Sequence, residues 1–141
     1  MKTLLHIPHS RYTIPFEYQN LFYLNPLELR KEQIKMTDSY TDDLFDIPNV
    51  EKLVFPISRL ICDVERFRDE NDEIMAKQGM WVTYTKTSEL KPLKKVSDEH
   101  KQEILEKYYD VHHKKFYEKV TDILNKYSLT VAYLYCGSSF I

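Results

Sequence analysis

Glycine and cysteine are both scarce in this chain of 141 residues, which contains two of each. Few glycines leave few positions where the backbone easily takes positive φ angles, and catalytic loops of α/β enzymes often need such angles. We would expect more glycine in a complete enzyme of this class. The two cysteines, Cys62 and Cys136, lack the spacing of a metal site. They indicate reduced thiols and a cytoplasmic protein.

Long apolar runs and blocks of like charge are missing as well. No stretch approaches the ~18 residues that a membrane span needs, and His6 and His9 interrupt the apolar N-terminus, which argues against a signal peptide. The formal net charge is -2, and the charges are interspersed. This pattern gives no reason to expect a nucleic acid or a membrane as partner. The length favours a single domain over residues 1–141.

Strand and helix patterns alternate along the chain. Short apolar or alternating runs predict strands over residues 2–8, 50–58, 81–87 and 129–135. Asn25, followed by Pro26, predicts the start of one helix, and Ser97 predicts the N-cap of a long helix over 97–127. The alternation predicts an α/β fold: a three-layer αβα arrangement around a largely parallel or mixed sheet of about four strands.

Candidate metal ligands follow the first predicted strand. His9 lies where that strand ends, and ligands collect at the carboxyl ends of strands in open α/β sheets. If residues 37–45 are helical, Asp38 and Asp42 share one face at i and i+4. A histidine with carboxylates is part of a hydrolytic zinc set. The alternative is ordinary structure, because histidines are often hydrogen-bonded inside folds and aspartates favour helix starts.

A second group of candidates lies in the highly charged segment 59–73. Arg59, Arg66 and Arg68 could bind a substrate carboxylate through bidentate hydrogen bonds. The acidic residues of the same segment could instead pair with these arginines in a solvated network. In the long predicted helix, His112 and His113 either face the site or lie at the surface. The residues alone leave these alternatives open.

Five segments carry a family resemblance when they are taken together. They are HIPHS at 6–10, TDSYTDDLF at 37–45, SRLICDVERFRDENDE at 58–73, GMWVTYTKT at 79–87 and YYDVHHKKF at 108–116. In this order they resemble the N-formylglutamate amidohydrolase family, which belongs to the zinc-carboxypeptidase-like and aspartoacylase-like fold group. Each segment is weak alone, but five in the family's order are specific.

The resemblance implies a zinc-dependent hydrolase of amino-acid metabolism. Its substrate would be a small N-acyl amino acid, with the N-acyl amide of an acidic amino acid as the bond cleaved. The resemblance implies His9 and Asp42, or alternatively Asp38, as metal ligands. It implies Arg59, Arg66 and His113 as substrate-binding residues. Zinc suits such a reaction because it polarises the scissile carbonyl and lowers the pKa of bound water toward 7.

The chain departs from the family after its last predicted strand. The family carries an Asp-x-His-Ser motif there, whose histidine is the remaining zinc ligand, whereas this chain reads YCGSS at 135–139. We therefore expect a C-terminally truncated domain with an incomplete zinc ligand set, no assigned catalytic residue, and weak or no activity. Allowed codons for residues 133–141, shifted by one base, encode Asp-Leu-His-Ser. The hypothesis of a frameshift near residue 132 is tested by sequencing the gene.

The alternative to an enzyme is a non-catalytic remnant or binding module. A sheet cut short exposes an edge and uncovered apolar surface, both of which favour self-association. A homo-oligomer that covers the exposed sheet edge is the partner that this alternative predicts.

Overall fold

A three-stranded parallel sheet organises the fold. The structure, a computed structural model, describes residues 2–126 and, for the backbone alone, residues 129–132. The strands are β1 (Lys2–Ile7), β2 (Val50–Val54) and β3 (Leu129–Ala132), in the order β2-β1-β3. This confirms the α/β class and a parallel sheet. The three-layer arrangement stays a prediction, and residues 133–135 of the last predicted strand, like the YCGSS segment, lie outside the described residues.

The helices differ in length. They are α1 (Pro26–Met36), α2 (Thr41–Leu44), α3 (Asp98–Ile104) and α4 (Asp110–Lys126), with 3-10 turns at Phe16–Leu21 and Ile74–Gln78. A π-helical turn at Leu105–Tyr109 joins α3 to α4, so the long predicted helix is confirmed. Ser97 is its N-cap, because the Ser97 hydroxyl accepts a hydrogen bond from the backbone N–H of His100. In the described part of the chain, no helix is long and apolar enough to cross a membrane.

Helix α4 packs against one face of the sheet. Leu4 of β1 and Leu53 of β2 form a buried cluster with Ile123 of α4, and Phe116 and Val120 pack around it. Burying a side chain of this size contributes roughly 1.5–3 kcal/mol. This contact fixes α4 relative to the carboxyl end of β1, where the candidate site begins.

Helix α1 begins with a complete capping box. The Asn25 side chain accepts hydrogen bonds from the backbone N–H groups of Leu27 and Glu28, and the Glu28 carboxylate accepts one from the backbone N–H of Asn25. We expect Asn25→Ala to lower the free energy of unfolding by about 1 kcal/mol, because two N–H groups lose their acceptor. Urea denaturation measures this. Glu28→Gln should change stability less, since glutamine can still accept the reciprocal bond. Equal losses in both variants would contradict this account.

The segment 81–87, predicted as a strand, is not a strand in the structure. Its first four side chains, from Trp81 to Tyr84, are all at most 6% exposed, so they do not alternate between a buried and a solvated face. Its backbone bonds go to loops: the carbonyl of Val82 accepts from the N–H of Asp63, and the N–H of Thr85 donates to the carbonyl of Gly79. The β-forming side chains serve a buried loop here.

The prediction that Asp38 and Asp42 share one helix face is also wrong. Helix α2 covers only Thr41–Leu44, and Tyr40 before it has a φ of 65°, in the left-handed region. A helix cannot continue through a residue in that conformation. Asp38 therefore lies outside the helix, and the two carboxylates point to different partners.

Candidate functional site

His9 lies two residues beyond β1 and is surrounded by carboxylates. Its side chain is 3% exposed. The Nε2 atom lies 2.8 Å from Oδ1 of Asp63. On the other side of the ring, Nδ1 lies 3.6 Å from Oδ2 of Asp38 and 3.5 Å from Oε2 of Glu65. The ring thus joins three segments that are far apart in the sequence.

Backbone hydrogen bonds bring these segments together. The N–H of Asp38 donates to the carbonyl of His9 at 3.0 Å, which attaches the loop before α2 to the end of β1. The N–H of Asp63 donates to the carbonyl of Val82 at 2.8 Å. The carboxylates of Asp38 and Asp63 therefore approach His9 from positions that the main chain fixes.

Asp63 is fully buried, and its carboxylate is the centre of a hydrogen-bond network. Oδ2 accepts from Nη2 of Arg59 at 2.7 Å and from the hydroxyl of Tyr84 at 2.6 Å. Oδ1 accepts from the backbone N–H of Glu65 at 3.0 Å and faces the His9 ring. Burial alone would raise the pKa of Asp63, but Arg59 and His9 together hold that pKa well below its usual range. Asp63 is therefore an ionised acceptor.

The charges around His9 favour its protonated form. Burial lowers the pKa of His9, but Asp63 and Asp38 outweigh burial, and the net shift is upward. Burial raises the pKa of Glu65. When His9 is protonated, its imidazolium offsets part of the negative charge of the neighbouring carboxylates at this end of the sheet.

Two largely buried arginines of the site have unused Nε donors. Within the described part of the chain, the buried Nε atoms of Arg59 and Arg66 make no hydrogen bond, although Nε of Arg66 lies 3.5 Å from Oδ2 of Asp63. The side chains are 12% and 23% exposed, so the arginines do pair with acidic residues, but in a buried network and not a solvated one. Among the described residues, the guanidinium of Arg66 makes only long contacts: 3.4 Å to the hydroxyl of Tyr84, 3.5 Å to Asp63 and 3.6 Å to Glu73.

The remaining predicted site residues have other contacts. Asp42 pairs with Arg11 at 2.5 Å, so Asp38 is the aspartate in contact with His9. Nε2 of His113 lies 2.9 Å from the carbonyl of Val64, between Asp63 and Glu65 in the sequence. His113 thus contacts the backbone of the segment that carries the network.

Sequence reasoning missed three residues of this network as site residues: Asp63, Glu65 and Tyr84. The first two belong to the charged segment, where nothing distinguishes a buried acid from a solvated one. Tyr84 lies in the segment mistaken for a strand. A signal was present in the placement of Asp63 between two arginines, four residues after Arg59 and three before Arg66.

The fit of a metal ion to this site is partial. Over residues 2–126, no group of three or more His, Cys, Asp or Glu side chains is arranged to hold a metal ion. His9 and Asp38 supply one nitrogen and one carboxylate near each other. Catalytic zinc sites generally use three protein ligands. The described residues therefore lack the three protein ligands of such a site.

A comparison with known families agrees with this arrangement. The model of the N-formylglutamate amidohydrolase family matches residues 1–139, nearly the whole chain. No curated protein and no solved structure matches the chain. The match spans all five resembling segments, and the structure brings His9, Asp38, Arg59 and Arg66 from those segments into one network. The chain belongs to the N-formylglutamate amidohydrolase family.

Proposed function

We propose that the chain binds N-acyl derivatives of acidic amino acids, such as N-formylglutamate, and hydrolyses their amide bond slowly. The observation that carries the proposal is the pair of buried guanidinium Nε donors on Arg59 and Arg66. A buried donor without an acceptor costs free energy, and a carboxylate is the acceptor that matches a guanidinium best. Acidic N-acyl amino acids carry two carboxylates.

Arg66 is the better of the two anchors for a substrate carboxylate. Arg59 already donates to Asp63 at 2.7 Å and to Tyr84 at 3.1 Å, and these bonds support the ionised state of Asp63. Every polar contact given above for Arg66 is 3.4 Å or longer, and its side chain is more exposed. Arg66 can therefore accept a ligand without losing a short hydrogen bond.

We also propose zinc as the cofactor, with His9 and Asp38 as the ligands that the described residues supply. Zinc, when bound, supplies polarisation of the scissile carbonyl and a water of lowered pKa. Asp63 accepts a hydrogen bond from Nε2 of His9, which orients the ring and leaves Nδ1 as the ligating atom. Ligation requires His9 to lose its proton, so metal affinity should rise with pH. Two ligands among the described residues, where catalytic zinc sites generally use three, predict weak binding and slow turnover.

The test combines metal binding, substrate binding and turnover. We expect weak zinc binding by calorimetry, slow formate release from N-formyl-L-glutamate, and weaker binding of N-formyl-L-leucine. Arg66→Gln should weaken N-formyl-L-glutamate binding by roughly tenfold or more, since a charged hydrogen bond contributes about 1.5–3 kcal/mol. Lys35→Gln is the matched control, because Lys35 pairs with Glu89 at the surface.

Three outcomes would contradict parts of this proposal. Unchanged binding by Arg66→Gln would exclude Arg66 as the carboxylate anchor. Fast zinc-dependent turnover would overturn the expectation of weak activity. A folded protein that binds neither zinc nor any N-acyl amino acid would favour the non-catalytic alternative, and light scattering would then show whether it self-associates.

A further inference from the structure

The long helix is hydrogen-bonded to the backbone of segment 63–66, which carries Asp63 and Glu65. Nε2 of His113 lies 2.9 Å from the carbonyl of Val64, and the hydroxyl of Tyr109 donates to the carbonyl of Arg66 at 2.7 Å. These two carbonyls flank Glu65 in the sequence. Tyr109 and His113 are four residues apart in one helix and so lie on the same face. Their rings are in contact, with centroids 4.3 Å apart.

The side chains of the same segment point to the site. Asp63 contacts Nε2 of His9, and Glu65 lies near Nδ1 of the same ring. Segment 63–66 therefore bonds to the helix through its main-chain carbonyls and to His9 through its carboxylates. A shift of the segment relative to the helix would move both carboxylates relative to His9.

The π-helical turn lies at the start of this contact. Tyr109 is its last residue, and His113 follows one turn later. A π turn inserts an extra residue into the helix and rotates the residues that follow, and such turns occur frequently at functional sites. Tyr109 is 8% exposed, and burial lowers the pKa of His113, which keeps its ring neutral. Both side chains thus bond to segment 63–66, Tyr109 from a buried position and His113 from a half-buried one.

We propose that Tyr109 and His113 are positioning residues, which act on His9 by holding segment 63–66 through the carbonyls of Val64 and Arg66. The role of His9 in this proposal rests on the proposed function, whereas the hydrogen bonds of Tyr109 and His113 to segment 63–66 do not depend on it. Without these two donors, the carbonyls lose their side-chain partners. The segment would then open locally, and the carboxylates of Asp63 and Glu65 would no longer be held at the His9 ring.

The test compares four variants of the full chain. His113→Leu removes one donor, and Tyr109→Phe removes only the hydroxyl oxygen of the other. His113→Gln retains an N–H donor near the position of Nε2 and should rescue the leucine effect. Tyr117→Phe is the matched control, because Tyr117 is on the same helix but 73% exposed.

The readouts are local and do not depend on turnover. Hydrogen exchange of the Asp63 and Glu65 amides, both of which are hydrogen-bonded, reports opening of the segment. The NMR chemical shift of the His9 ring N–H that faces Asp63 reports whether the Asp63 carboxylate is still in contact with that ring. We expect His113→Leu and Tyr109→Phe each to accelerate exchange by about tenfold, the effect of one lost hydrogen bond, and to shift the His9 signal. Hydrogen exchange of the Leu5 amide in β1 should change much less.

Exchange that rises equally at Leu5 and at Asp63, or an unchanged His9 signal in both variants, would overturn the proposal. Failure of the glutamine variant to rescue would do the same. If His113→Leu does not fold, Tyr109→Phe decides the question alone. An inactive wild type in which both variants still open the segment would contradict the proposed function and support the positioning role.

Discussion

Replacing Asp63 with asparagine is expected to lower the free energy of unfolding by about 3–5 kcal/mol. The carboxylate is fully buried and compensates the buried charge of Arg59, with Arg66 close by. Asparagine keeps the size of the side chain but removes the charge, so the largely buried guanidinium of Arg59 loses its carboxylate partner. A domain of this size has a total stability of roughly 5–15 kcal/mol. Urea denaturation at pH 7 should therefore show a large loss.

Asp110→Asn is the matched control for this prediction. Asp110 pairs with Arg68 through two hydrogen bonds of 2.8 and 2.9 Å, but both side chains are about half exposed. An exposed pair contributes about 0.2–1 kcal/mol, so the control should lose no more than that. Similar losses in the two variants would show that burial of Asp63 does not set its contribution.

The pH dependence gives a second check on Asp63. Its folded pKa lies below its unfolded value, so its stabilisation is fully present above the unfolded pKa and is lost only as the pH falls through the folded pKa. The stability loss of Asp63→Asn should therefore shrink in strong acid. It should also decrease as the pH rises through the folded pKa of His9, because Asp63 raises that pKa in the wild type.

The second large effect is expected from a pair of neutral histidines between β1 and α4. Nε2 of His6 lies 2.8 Å from Nε2 of His112. The rings of Phe55 and Phe116 pack against the pair, with centroids 5.0 Å from a histidine ring. Burial, together with neighbouring histidines, lowers the pKa of His6 to about 4 and that of His112 to about 3. Both rings are therefore neutral in the folded protein at mildly acidic pH.

Acid should destabilise the protein through this pair. Unfolded histidines titrate near pH 6.5, so below that pH the unfolded chain binds protons that folded His6 and His112 do not bind. The stabilisation that depends on these two neutral rings is present at pH 7 and is lost as the pH falls toward 4. We expect a loss of about 2–3 kcal/mol between pH 7 and pH 5, discounted for partial exposure of His6. His9 acts in the opposite direction, because its folded pKa is raised.

The double variant His6→Leu/His112→Phe isolates this contribution. Replacing both polar partners with apolar groups avoids leaving one nitrogen unpaired. Its unfolding free energy, measured at pH 7, 6 and 5, should change less with pH than that of the wild type. The contribution of His9 is common to both proteins and cancels in the difference. Equal acid sensitivity of the double variant and the wild type would contradict this prediction.

The parts of the fold that depend on local chemistry were predictable from the sequence. The helix start at Asn25 and the N-cap of the long helix at Ser97 are short-range signals, and the structure confirms both. Segment 81–87 failed because β propensity measures how well side chains fit a half-buried pleated surface. A loop that is buried along its length selects similar side chains, as Trp81 and Tyr84 show.

The candidate site was predictable in its residue types but not in its pairings. The strand-end position identified His9. The choice between Asp38 and Asp42 depends on the positive φ of Tyr40 and on one backbone hydrogen bond, to which no residue pattern points. Whether Arg59 and Arg66 are solvated or buried likewise depends on long-range packing, which the charge pattern of the segment does not contain.

The central position of β1 has a consequence for how the chain folds. Its two neighbours come from residues 50–54 and 129–132, so the pairing with β3 joins positions more than a hundred residues apart. Contacts of such long sequence separation are entropically costly to form and are associated with slow folding. During synthesis, β1 leaves the ribosome before β2 and β3 and stays without its β3 partner until residues 129–132 have emerged. The nascent chain therefore carries an unprotected strand edge, which makes it vulnerable to aggregation until β3 has paired with β1.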